Sequence, residues 1–141
     1  MAIATLPDKF VRKAIWDAIN DMVVDTLTIP CYDMRTTNYS GDAYVILSTQ
    51  TNEQEFNKCG NGWLSTILLD VFTRYRKNTG SRLLADNIAQ AILTALEGLS
   101  LDGSSGLTIN NVIITLPNDI TDESGTEIIH RKLIRYELSI R

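Results

Sequence analysis

Three side chains in this sequence carry the usual reactive groups: one imidazole, His130, and two thiols, Cys31 and Cys59. A histidine works as a general base when a carboxylate orients it and a nucleophile lies within reach. The stretch EIIHRKLIR supplies neither at a motif spacing. His130 alternates with Ile128 and Lys132, on the core-facing side near the start of a strand. It reads as a boundary histidine, and a small hydrolase built on it is the enzymatic alternative. Two thiols and one imidazole do not complete a four-ligand structural zinc site. No metal is expected, and both cysteines read as free thiols. Asp119, Asp122, Glu123 and Glu127 lack the alternating ligands and closing glutamate of a calcium loop. They read as a solvated acidic loop over 118–127, or as a contact surface for a basic neighbour. Gly103-Ser104-Ser105-Gly106 lacks the G-x-S-x-G spacing and precedes a strand, so it is a turn. Asp17 and Asp21, with Lys13 beside them, form a solvated helix face. There is no phosphate-binding glycine loop and no paired-cysteine motif. Neither a catalytic residue nor a cofactor is expected.

The chain as a whole narrows the classes further. At 141 residues it is the size of one domain, 1–141, and it can bury a real core. An apolar fraction of 44% beside 21% charged residues argues for a folded globule rather than disorder. The net charge of −4 argues against a free-standing nucleic-acid binder, which needs Lys and Arg to neutralise phosphates. It is compatible with a protein past which DNA slides. No apolar run approaches the roughly 20 residues that cross a bilayer. The opening MAIATLPDKFVRKAIWDAIND lacks the pattern of a secretory signal. Synthesis in a cytoplasm and no membrane partner are expected.

The elements that position these residues follow from periodicity. Phe10, Ala14, Ala18 and Met22, beside Val11, Ile15, Ile19 and Val23, predict a helix over Pro7–Val24. Thr5 is its candidate cap. The apolar arc spans about 220°, with Trp16 at its edge, where a single sheet needs little more than about 100°. Either a loop covers the excess, or one edge of the helix meets another subunit. Thr26–Tyr32, broken by Pro30, predicts an edge strand or bulge, and Ala43–Thr49 another strand. Ser40–Gly41–Asp42 predicts a turn before it, and Thr51–Gly62 reads as a long polar loop. Trp63–Tyr75 is apolar on both faces in its middle and predicts a central strand. Ser81–Leu96 predicts a second helix, capped at Thr79 or Ser81 and ended by Gly98. Leu107–Leu116 and Ile128–Ile140 predict the last strands. In the final one, Ile134, Tyr136, Leu138 and Ile140 alternate with Arg131, Arg135, Glu137, Ser139 and Arg141, which predicts one dry and one wet face. The fold class is α+β: an antiparallel or mixed sheet with two amphipathic helices on one face. The arginine stripe reads either as a hydrated sheet face or as a surface pairing with an adjacent subunit or lining a channel.

Four stretches in order carry a family resemblance. They are the opening helix DKFVRKAIWDAINDMV, the strand DAYVILSTQ, the strand-turn-helix WLSTILLDVFTRYRKNTGSRLLADNIAQAILTAL, and the closing basic strand EIIHRKLIRYELSIR. Over most of its length the chain resembles phage tail-terminator, or tail-completion, proteins. The resemblance implies a structural virion protein with no catalytic residues. It implies a homo-oligomeric ring, commonly hexameric, at the head–tail junction. Such a ring ends the tail tube and joins it to head-completion and neck proteins, while DNA passes through without specific binding. Trp16, Arg131 and Arg135 are then the subunit-contact candidates. The stretches 51–62 and 118–127 depart from the family pattern. A neck-ring subunit of a short-tailed phage and a monomeric phage-encoded binding module are the alternatives.

Overall fold

The computed structural model describes residues 6–33, 42–57, 60–76, 82–117, 119–124 and 127–140. The expectations for Thr5, Ser40, Gly41, Cys59, Thr79, Ser81 and Arg141 lie outside these residues. Among the described residues the element order is α1 (Asp8–Ile19), β1 (Met22–Val24), β2 (Leu27–Ile29), β3 (Cys31–Tyr32), β4 (Ala43–Asn57), β5 (Gly60–Arg76), α2 (Leu83–Ala95), β6 (Ile109–Thr115), β7 (Ile120–Ser124) and β8 (Glu127–Ile140). The main sheet runs β3-β4-β5-β8-β6, and β7 pairs with the first part of β8. Only the β3–β4 step is parallel, so the sheet is mixed. The two helices lie on one face, as the α+β reading requires.

Strand alternation decides which side chains meet the helices. On β5 these are Ile67, Leu69 and Val71, and on β8 Ile134, Tyr136, Leu138 and Ile140, all essentially inaccessible. They pack against Val11, Ile15 and Ile19 of α1 and Ile88, Ala89 and Ile92 of α2. β5 is the central strand, as its apolar run predicts. β4 changes face along its length. Val45 and Leu47 point to the helices, a register shift follows between Leu47 and Gln50, and beyond it Gln50 and Asn52 point there instead.

Three expectations need correcting. The first helix stops at Ile19 rather than reaching Val24. Asn20 is extended (ψ 135), Asp21 has φ 57, and Met22–Val24 turns back as a two-stranded hairpin with β2. Val23, placed in the apolar arc by its spacing, is 71% exposed. The described residues of the stretch Thr51–Gly62 do not form a long loop: Thr51–Asn57 and Gly60–Gly62 belong to β4 and β5, paired from Thr51↔Thr66 to Asn57↔Gly60. The acidic stretch is not a loop either, since Ile120–Ser124 pairs with β8 as β7. Other expectations hold. The stretch Thr26–Tyr32 is divided at Pro30: Leu27–Ile29 pairs with β1 in a separate two-stranded sheet, and Cys31–Tyr32 is the expected edge strand of the main sheet. Gly98, with φ 72, follows the second helix, and Gly103–Ser105 is a short 3-10 turn held by Asp102 accepting from the Ser104 N–H at 3.0 Å.

The β1–β2 turn stores local strain. Val24 and Leu27 pair directly, and both residues between them have positive φ, Asp25 at 49° and Thr26 at 68°. A two-residue turn of this shape favours Asn-Gly, and a β-branched residue suits it poorly. Thr26→Gly is expected to raise the unfolding free energy by about 0.5–1 kcal/mol, after allowing for glycine's greater freedom in the unfolded chain. Urea denaturation would show this as a higher midpoint. An unchanged or lower midpoint would contradict the strain argument.

Candidate assembly surfaces

The sheet face turned away from the helices carries the arginine stripe. Arg131, on β8 opposite Phe72, donates from Nη2 to Asp70 Oδ2 at 2.6 Å. The Asp70 carboxyl is nearly buried, at 7% exposure, while Arg131 keeps 32%. The guanidinium also lies 4.9 Å from the centre of the Phe72 ring, which stacks on Tyr44 at 4.7 Å; Tyr32 meets Tyr44 edge-on at 6.0 Å. The hydrogen bond to Asp70 raises the Arg131 pKa above its ordinary value, so the group stays charged. Asp70 Oδ1 and Arg131 Nε are buried with no hydrogen-bond partner among the described residues. Arg131 is thus engaged inside the protomer. Arg135 is exposed on the same face, paired across the ladder with Leu68 and Thr115.

Trp16 sits on the opposite flank. It is 39% exposed, and its indole N–H donates to the Cys31 carbonyl at 2.9 Å. Beside it Arg12 forms a clamp that periodicity alone does not reveal. Its Nε donates to Asp33 Oδ1 at 2.8 Å, Nη2 to the Leu47 carbonyl at 3.0 Å, and Nη1 to the Ser48 carbonyl at 3.2 Å. Those carbonyls lie at the β4 register shift, where the sheet ladder is interrupted.

The remaining candidates are dispersed. The His130 ring meets the Thr121 hydroxyl at 3.2 Å and the Tyr75 ring at 5.9 Å. Lys132, next to Arg131 in sequence but on the helix side, reaches Asp86 of α2 at 3.1 Å and Asp119 at 3.3 Å. Burial works to lower its pKa, but the bonds to those two carboxylates outweigh it and raise the pKa. Asp119 therefore helps fasten the β7 segment to α2. Lys13 and Asp17 form an exposed pair at 2.8 Å. Cys31 is buried, and burial pushes its thiol up to about 12, which makes it a poor nucleophile. Among the described residues no three His, Cys, Asp or Glu side chains gather as a metal site. Among them, too, no helix is long and apolar enough to cross a membrane.

The most distinctive surface is β6. Val112, Ile113 and Ile114 are 38–51% exposed, and Leu116 and Ile120 nearby are exposed as well. The strand Ile109–Thr115 carries neither charge nor proline, the usual protections of a free sheet edge.

End to end, the fold is similar to a chain in the virion of a native gene transfer agent particle. The match covers 98% of this chain and 99% of that one, with a TM-score of 0.62 and 14% sequence identity. No protein-family model and no curated protein matches the sequence.

Proposed function

We propose that this chain is a structural virion protein of the tail-terminator type, one unit over 1–141, which assembles as a homo-oligomeric ring at the head–tail junction. In this reading the ring, a hexamer in the family it resembles, ends the tail tube and binds head-completion or neck proteins. It carries out no catalysis and needs no cofactor, and DNA passes through it without specific contacts. The observation that carries the reading is the full-length likeness to a chain of a gene transfer agent virion. The exposed apolar β6 edge supports it, because a lone soluble domain rarely leaves such an edge open. The acidic balance suits a passage that must not hold DNA. Trp16 and Arg135 offer exposed side chains to neighbouring subunits, and Arg131 joins them as a contact once its face meets another chain.

The test is the mass and shape of the purified chain. Mass photometry over rising concentration, with negative-stain images of the largest species, is expected to give a ring of one defined mass. A protomer mass at every concentration, with no density for the chain in the neck of a virion, would remove the reading.

A further inference from the structure

Strand registers set the height of each residue along the sheet. Ile114 pairs with Tyr136, Tyr136 with Ile67, and Ile67 with Gln50. The same steps carry Ile113 to Thr51, Val112 to Asn52, and Asn111 to Glu53. β6 therefore stands level with the part of β4 just beyond its register shift. Among the described residues these stretches form the sheet's two open edges at that height. β3 pairs only with Val45 and Ile46, and no strand lies outside β6.

Direction agrees with height. Three antiparallel steps separate β4 from β6, so within one protomer they run in opposite senses. Rotation about an axis parallel to the strands preserves strand sense. It brings β6 of one copy beside β4 of the next, antiparallel and with no shift along the axis. This is a heterologous contact, the kind that closes rings. Charge does not oppose it. β6 is uncharged, and in Gln50–Gln54 the only charge is Glu53, which stands level with Asn111. On the helix side, Val112 and Ile114 border a hollow of about 430 Å³ with Gln90, Leu93 and Tyr136. The start of α1, where Asp8 meets Asn52, stands over β4 at the matching height and would face this hollow from the next copy.

We propose that the β6 edge is the docking site for a second copy of this chain, which lays Gln50–Gln54 of β4 antiparallel along Ile109–Ile114 so that one sheet continues from protomer to protomer. The proposal rests on the ring reading above and adds the surface that makes the ring.

Two variants of the full chain test it, both carrying Cys59→Ser to remove the second thiol. Thr51→Cys with Ile113→Cys places thiols on one sheet face at one height, within the roughly 5.5 Å Cα separation that a disulfide spans. Mild oxidation is expected to give a ladder of covalent multiples on a non-reducing gel, and each single variant none. Ile113→Lys puts a charge on the edge and is expected to convert the ring to protomers that keep the parent's near- and far-UV circular dichroism spectra. Rings that survive Ile113→Lys, without cross-linking of the paired variant, would overturn the edge while leaving the ring reading standing. Covalent dimers from Ile113→Cys alone would mean that β6 pairs with another β6, and would also overturn it. A parent chain that never leaves protomer mass would end both readings. Should the lysine variant fail to fold, the cross-linking result decides.

Discussion

Arg131→Met is expected to lower the unfolding free energy by about 3 kcal/mol, the low end of the cost of breaking a buried pair by removing one partner. The loss comes from Asp70, whose carboxyl is 7% exposed and is left without its ion-pair partner when the guanidinium leaves. Phe72 loses its cation as well. The value sits at the low end because Arg131 keeps 32% exposure, and water screens part of the attraction. Replacing both partners, Asp70→Leu with Arg131→Met, removes the unpaired carboxyl. It is expected to recover all but about 1 kcal/mol, as apolar replacement of buried pairs does elsewhere. Urea unfolding followed by tryptophan fluorescence gives the full cycle. A cost below about 1 kcal/mol for the single variant would mean that the pair behaves like a surface ion pair. The same proteins separate two roles for Arg131. If it acts only within the protomer, the double variant keeps its oligomeric mass; if its face meets a neighbour, that mass falls while stability recovers.

Much of the fold was legible because burial writes itself into alternation. Ile134, Tyr136, Leu138 and Ile140 occur at period two, and all four face the helices. The central position of β5 follows from apolar residues on both of its faces. Two of the errors share one cause: polar strands carry no burial pattern. Thr51–Asn57 pairs fully with β5, and Ile120–Ser124 with β8, yet the first is mostly Thr, Asn, Glu and Gln and the second mostly Thr, Asp, Glu and Ser. They are strands because a longer neighbour templates them, and that information lies in the partner. The overlong first helix has another origin. Met22 and Val23 continue the helical rows by coincidence of spacing, while Asn20 and Asp21 leave helical geometry. Asn20 accepts the Cys31 N–H at 3.0 Å, which ties the end of the helix to the sheet edge. Asn-Asp before a β-branched pair was the available signal.

The candidate surfaces were less legible. Arg131 and Arg135 belong to one stripe in sequence, but among the described residues only Arg131 bonds a buried carboxylate, that of Asp70 on the neighbouring strand. No spacing along one chain segment reveals a partner 61 residues away. The β6 edge was readable as a strand but not as an edge. LTINNVIITL resembles a covered strand, and only the sheet order shows that nothing flanks it among the described residues. An apolar strand at an edge is a mismatch between local pattern and global position, and such mismatches are expected at functional or strained sites.

Arg12 gives the second large effect, because it holds the irregularity that turns β4 over. Between Leu47 and Gln50 the ladder to β5 slips, and the Leu47 and Ser48 carbonyls turn to the Arg12 guanidinium. Arg12→Ala removes both donors and the bond to Asp33 together. Each carbonyl left dry costs about 1–3 kcal/mol, reduced here because water can reach a sheet edge, so a total of about 2–3 kcal/mol is expected. Arg12→Lys should recover less than half, because one ammonium cannot reproduce a planar fork that bonds in several directions. Urea midpoints for the three proteins test the order parent, Lys, Ala. A lysine variant as stable as the parent would show that charge, not the fork, is what matters. Amide exchange supplies the local readout. Faster exchange confined to Thr49–Asn52 in the alanine variant would place the loss at the slip. That consequence reaches past stability, since the slip decides which side chains of Gln50–Gln54 face the helices and which face outward. If copies join through β4 and β6 as proposed, a β4 that loses its slip would present the wrong face to the neighbouring β6, and Arg12→Ala should then weaken assembly more than its stability cost alone predicts.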